Sequence, residues 1–215
     1  MRVILTRHYK TISNEDDRIL GWGDSPPGSE WKADIDYVDA RFQAHGLNFD
    51  EIYSSDLERS RQTAIIHAVR YRIAVVNSAA ELNEINYGKL QKRKKSWVAR
   101  CYPKHKNDPD MVYPEGESFR QMQQRSVDFL LSLATRHPRQ TVLIVAHAGV
   151  IRGIISHFLD LEFADNLKQK IAFRYIGDFL LEDGNCLRYD ELGEASGFVS
   201  NGVIELPFSR ACVAS

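Results

Sequence analysis

Val3-Ile4-Leu5-Thr6 runs into Arg7-His8, and Val142-Leu143-Ile144-Val145-Ala146 runs into His147. Both runs are short, apolar and rich in β-branched residues, as strands buried on both faces of a parallel sheet should be. Ligands of open α/β sheets bind just beyond the carboxyl ends of such strands. If the two strands are neighbours, His8 and His147 face each other across one crevice. An imidazole there can serve as nucleophile, acid, base or metal ligand, and its neighbours decide which.

Outward from these runs, the chain alternates strands and helices. Residues 9–29 are polar and rich in turn formers, and a loop of that length in a compact domain is usually functional. Residues 30–45 read as a helix ending at Gly46. Glu51–Ser55 reads as a strand, followed by a helix over 57–71 that Ser55 or Asp56 would cap. Ile73–Asn77 reads as a third strand. Residues 81–115 are irregular and charged, with a helix around 89–101. Pro114-Glu115-Gly116-Glu117-Ser118 opens a long helix reaching about Arg136, and a helix over 149–160 follows the second strand run. The tail reads as β: a hairpin of 179–182 and 186–190 around Asp183-Gly184-Asn185, then a strand at 203–206. This pattern predicts one domain over 1–215, a three-layer α/β/α sandwich around a mostly parallel sheet.

Composition narrows the function. The 215 residues are 43% hydrophobic and 27% charged, with a formal net charge of -1, which suits a globular domain and argues against general nucleic-acid binding. Cys101, Cys186 and Cys212 are scattered without CxxC spacing, so they read as reduced thiols of a cytoplasmic protein. No apolar run approaches membrane-spanning length. A tail edge strand could pair two copies as a homodimer.

Four segments carry the chemistry. Arg7-His8 with Asn14 offers a guanidinium fork and a neutral amide at a strand end, a set suited to an oxyanion. Ser54-Ser55-Asp56-Leu57-Glu58-Arg59-Ser60-Arg61-Gln62-Thr63-Ala64 places Arg59 in the first turn of a helix. Cations are disfavoured there unless something negative is bound. Arg61 reads as the partner of Glu58 on a solvated face. The third segment is Glu81-Leu82-Asn83-Glu84-Ile85-Asn86-Tyr87-Gly88, and the fourth is Ala146-His147-Ala148-Gly149-Val150-Ile151-Arg152. Each alone is weak, since a strand-end histidine is often structural and a loop carboxylate usually faces solvent.

As an ordered set, from residue 4 to 153, these segments resemble the histidine phosphatase superfamily, the phosphoglycerate-mutase-like enzymes. The matching motifs are Arg7-His8 with Asn14, the 54–64 segment, Leu82-x-Glu84-x-x-x-Gly88, Gly116-Glu117-Ser118 and His147-x-Gly149-x-x-Arg152. The resemblance implies that fold and a phosphoryl-transfer site. His8 would be the nucleophile, and a reference pKa near ~6.5 makes its neutral form accessible. Arg7, Arg59, Asn14 and His147 would hold the phosphoryl oxygens. Glu84 would protonate the leaving oxygen and then take a proton from water. Arg18, Gly21 and Ala148 would line the substrate mouth. No cofactor and no metal are implied, because fixed donors carry the transferring charge.

Two departures stand out. Tyr9 replaces the family's usual glycine, where it would narrow the pocket, touch substrate or simply pack. Asp24-Ser25-Pro26-Pro27-Gly28 only half keeps the family loop. Tyr87-Gly88-Lys89-Leu90-Gln91 looks like the bisphosphoglycerate-dependent mutases, yet residues 92–115 lack their paired-arginine insert, and 114–118 look like the phosphatases. The expectation is therefore hydrolysis of a small phosphate monoester. Mutase activity and a non-catalytic phospho-ligand module are the alternatives. The basic stretch from Lys89 to Lys106 is either a cationic lid or a solvated helix face.

Overall fold

The computed structural model describes residues 1–194 and the short strand at 204–205. In chain order the strands are β1 (Arg2–Arg7), β2 (Glu51–Ser54), β3 (Val76–Ser78), β4 (Thr141–Ala146), β5 (Ile176–Glu182), β6 (Asn185–Glu191) and β7 (Ile204–Glu205). The helices are α1 (Ile12–Glu15), α2 (Trp31–Ala44), α3 (Glu58–Tyr71), α4 (Lys95–Cys101), α5 (Phe119–Arg136), α6 (Ala148–Phe158) and α7 (Phe163–Asn166), with single 3-10 turns at Ala80–Leu82 and Gly88–Leu90.

The strands form one sheet in the order β3-β2-β4-β1-β5-β6-β7. The first four are parallel, and β5 to β7 extend the sheet antiparallel from β1. Side chains of the central strands alternate between two cores. Val3 and Leu5 of β1 and Val142, Ile144 and Ala146 of β4 pack with α5 and α6. Ile4, Leu143 and Val145 pack on the opposite face with α2 and α3. That alternation is why both runs read as uninterrupted apolar sequence: each face has its own helical layer. The result is the expected α/β/α sandwich.

β1 and β4 pair in register, Arg7 opposite Ala146, so His8 and His147 leave the sheet side by side at its carboxyl edge. The His8 amide still donates to the Ala146 carbonyl at 3.1 Å.

Local differences from the sequence expectation have local causes. The third strand is shorter and later than 73–77. Arg72 closes α3 in the left-handed region (φ 57°), and the Ile73 amide is still bound to Ala68, so the chain is extended only from Val76. The helix expected over 89–101 is split, because Lys92 has φ 64°, and only 95–101 is helical. α5 starts where expected: Ser118 caps it reciprocally with Gln121, whose side chain accepts from the Ser118 amide at 2.8 Å. The β5–β6 hairpin turns on Asp183 (φ 48°) and Gly184 (φ 79°), the two positive values a tight two-residue turn requires. Cys101 and Cys186 are free, and Cys212 lies outside the described residues. Among the described residues, no helix is long and apolar enough to cross a membrane.

Candidate active site

The carboxyl ends of β1, β2 and β4 open into a cavity of about 250 Å³. Arg7, His8, Asn14, Arg18, Gly21, Arg59, Glu84 and Ala148 all line it. His147 does not line it directly. It is fully buried behind His8, with ring centroids 5.0 Å apart.

The His8 ring is fixed at both nitrogens. Nδ1 lies 2.5 Å from the Tyr9 carbonyl, which assigns it the proton. Nε2 then carries the lone pair, and Arg59 Nε donates to it at 3.2 Å. Burial first, then the charges of Arg59 and Arg7, hold His8 well below the usual histidine range, so the ring is neutral at physiological pH.

Arg59 belongs to the first turn of α3, with its other nitrogens donating to the Gly23 and Gly21 carbonyls at 2.9 and 2.7 Å. Gly21 has φ 55°, and a β-carbon there would stand 3.1 Å from the Ile85 carbonyl and the Tyr87 ring. The loop thus turns tightly to aim a carbonyl at Arg59. Arg7 donates to Ile171 O at 2.5 Å and lies over the Phe173 ring, 3.6 Å from its centroid. Its Nε is buried without a hydrogen-bond partner. Burial and Arg152 push Arg7 down to about 9, and burial pushes Arg59 down to about 10; both stay charged at neutral pH. Arg7 and Arg59 form no ion pair among the described residues, with Glu84 the carboxylate acting on both from the same cavity, and buried cations converging in this way mark a candidate anion site.

Asn14 Oδ1 accepts from the amide and hydroxyl of Thr11 at 3.2 and 2.9 Å. Its amide nitrogen is then the group left to donate into the cavity. His147 Nε2 is 2.7 Å from Ser55 Oγ, while its Nδ1 is buried with no partner. Ser55 does not cap α3, and neither does Asp56. The N-cap is Leu57, and Ser55 Oγ accepts its amide at 3.3 Å, which frees the hydroxyl to orient His147.

Glu84 accepts from the amides of Ile85 and Gly149 at 3.1 and 3.2 Å. Arg125 holds the backbone of this segment through the Glu81 and Glu84 carbonyls, and itself pairs with Glu117 at 2.7 Å. A β-carbon on Gly149 would stand 2.2 Å from Glu84 Oε1. Gly149→Ala should therefore leave the fold intact, displace the carboxylate and lower kcat by about ten- to a hundred-fold. Steady-state kinetics beside an unchanged circular dichroism spectrum checks this, and an unchanged kcat would contradict it.

His8 and His147 both sit well below their ordinary range, and burial pushes His105 down to about 4. The unfolded chain takes up these protons near pH ~6.5 whereas the folded chain does not. Their contribution to stability is complete above that pH and is lost as pH falls below it, by on the order of 2 kcal/mol per histidine at pH 5. The urea midpoint should fall between pH 7 and pH 5, and His8→Asn should fall less. An equal fall in both proteins would rule out this source.

Sequence reasoning missed several lining residues. Arg152 was visible within the fourth motif, and its Nε donates to Gln169 O at 2.7 Å. Tyr87, Lys95, His105, Lys106, Lys170 and Phe173 also line the cavity. The basic stretch divides: Lys95 and Lys106 reach the cavity wall, and the remaining cations from Lys89 to Lys104 do not. Tyr9 lines a neighbouring recess instead and packs on Trp31, ring centroids 5.8 Å apart. Among the described residues, no three His, Cys, Asp or Glu side chains group closely enough to hold a metal ion.

A neutral imidazole whose lone pair is held by an arginine, facing buried guanidinium groups and a carboxylate at the edge of a parallel sheet, defines an enzyme of phosphoryl transfer. A profile of the histidine phosphatase superfamily, branch 1, matches residues 3–175, and the chain belongs to that family. Its relatives include both phosphatases and phosphoglycerate mutases. A metal-independent phosphoserine phosphatase of Arabidopsis thaliana is 30% identical, covering 71% of this chain and 66% of the relative. A 2,3-bisphosphoglycerate-dependent phosphoglycerate mutase 2 of Bacteroides thetaiotaomicron is 25% identical, covering 83% and 86%. The solved structure of Bacillus stearothermophilus YhfR superposes with a TM-score of 0.76 at 26% identity, covering 86% of this chain and 93% of the other.

Proposed function

We propose that this chain hydrolyses a small phosphate monoester through a phosphohistidine on His8, without a metal ion. The observation that supports this reading is the state of the His8 ring: Nδ1–H is tied to Tyr9 O, and the Nε2 lone pair accepts from Arg59 Nε on the wall of the cationic cavity, a bond that a phosphoryl group would displace. In the first step Nε2 attacks phosphorus and the bond from phosphorus to the leaving oxygen breaks. Glu84, protonated at that moment, gives its proton to the leaving alcohol. In the second step water attacks the phosphohistidine, Glu84 takes a proton from it, and the P–N bond breaks to restore the lone pair. Arg7, Arg59, the Asn14 amide and His147 Nδ1–H supply the donors for the phosphoryl oxygens.

The mutase reading keeps a hold through the relatives, which include mutases as well as phosphatases. Hydrolysis is favoured because no arginine of the 92–115 segment reaches the cavity, only Lys95, His105 and Lys106. A cytoplasmic, reducing setting belongs to the same reading, since Cys101 and Cys186 are both free thiols.

Turnover of a generic aryl phosphate by the purified protein in excess chelator tests the reaction class. Unchanged activity after chelation is expected. Loss of activity restored by a divalent cation would refute the metal-free mechanism, and binding without turnover would point to the phospho-ligand module.

A further inference from the structure

Beyond Arg7, Arg59 and Arg152, four further cations line the cavity: Arg18, Lys95, Lys106 and Lys170. Two of them are already engaged. Arg18 donates to Lys92 O at 2.9 Å, and Lys95 pairs with Asp17 at 2.7 Å. Lys106 differs. It is half-buried, lines the cavity, and has no hydrogen bond or ion pair among the described residues; Lys170 also lacks a partner but is exposed to solvent.

The surrounding loop is built firmly. The Asn107 and Asp108 amides both donate to Lys104 O at 2.9 Å, and His105 Nδ1 is 2.5 Å from the Tyr113 hydroxyl. Lys106 itself holds φ 58°, a conformation that costs a lysine free energy. Its electrostatic neighbours are mostly cations: Arg152, Lys95 and Arg7, with Glu84 the one carboxylate felt there. Burial and these charges push its ammonium down to about 8. A half-buried ammonium on a left-handed backbone and among like charges is stabilised when an anion neutralises it. The transferred phosphoryl group has its own donors in Arg7, Arg59, Asn14 and His147, so Lys106 is left for another anion. Lys106 also shares its surroundings with Glu84, the group that would protonate the leaving oxygen.

We propose that Lys106 is a specificity-determining residue that binds a second anionic group, a carboxylate or a further phosphate, carried by the leaving-group half of the phosphate ester. The inference rests on the phosphatase reading above and adds the substrate class to it. Such a substrate meets Arg7 and Arg59 with the transferred group and Lys106 with the part that leaves, all within one cavity.

Three esters with a two-carbon leaving half test it: ethyl phosphate, 2-phosphoglycolate and ethane-1,2-diol bisphosphate. In the unaltered protein, kcat/KM for at least one doubly anionic ester should exceed that for ethyl phosphate by about ten-fold or more. The better of the two identifies carboxylate or phosphate as the second group. Lys106→Met should bring the ratio to within about two-fold of unity, whereas Lys106→Arg should keep it. The preference should also fade between pH 7 and pH 9 as the ammonium is lost. No preference in the unaltered protein, or a preference that survives Lys106→Met, overturns the assignment. If no ester is turned over, the phosphatase reading has failed. Calorimetric affinities of the same three esters then decide Lys106 separately, by whether their ratio collapses on Lys106→Met.

Discussion

His8→Ala is expected to reduce turnover of any phosphate ester by at least about 10⁴-fold, with no phosphoenzyme left to trap. The size of the effect follows from covalent catalysis. Without Nε2 there is no acceptor for the phosphoryl group, and the remaining donors can only polarise the substrate for direct attack by water. The variant should fold, because the imidazole's polar contacts are to Tyr9 O and Arg59, and Arg59 keeps its bonds to the Gly21 and Gly23 carbonyls. It should bind phosphate, since Arg7, Arg59 and Arg152 remain. Rapid quench with labelled substrate reads the intermediate directly: acid-labile, base-stable label on the unaltered chain and none on the variant. Residual activity above about one per cent would mean that another group takes the phosphoryl, and the mechanism would have to be rebuilt around it.

The second large effect is expected at Glu84. Glu84→Gln keeps the shape of the side chain and a carbonyl able to accept the Gly149 amide, but it can neither give nor take a proton. kcat for an alkyl phosphate should fall by about 10²- to 10⁴-fold. An aryl phosphate, whose phenoxide leaves without protonation, should be spared in the first step. The second step still needs a base to activate water. With an aryl ester the variant should therefore release a burst of phenol and then stall as phosphoenzyme. Equal losses for alkyl and aryl esters, with no burst, would remove Glu84 from both proton transfers.

Much of this site was legible because its residues are tied to strand ends and helix starts. Arg7-His8 and His147 each follow an apolar run, and the register of β1 on β4 brings them together. Arg59 was conspicuous because a cation in the first turn of a helix needs a reason, and the cavity with its Gly21 and Gly23 carbonyls supplies one. Glu84 was readable only within its motif. Its place against the Gly149 amide joins segments 65 residues apart in the chain.

Other parts had no such signature. Lys170, Ile171 and Phe173 lie in irregular chain before β5, where no periodic pattern marks which side chain turns inward. Eight cations between Lys89 and Lys106 look alike in sequence. A left-handed residue at Lys92 splits the helix expected over 89–101 that would have spread most of them over a solvated face, and two, Lys95 and Lys106, reach the cavity. The role of Tyr9 was equally open, until its packing on Trp31 set it outside the catalytic cavity.

The order of apolar runs, turns and helical segments was enough to determine a doubly covered parallel sheet and the edge at which its chemistry lies, because burial on both faces forces that pattern locally. Which charges converge beyond the central histidine was decided only by tertiary structure. Side chains from β1, α3, the loop before α5, and the segment before β5 meet there across separations that no local rule encodes. Burial strengthens their mutual repulsion, which a bound anion would relieve.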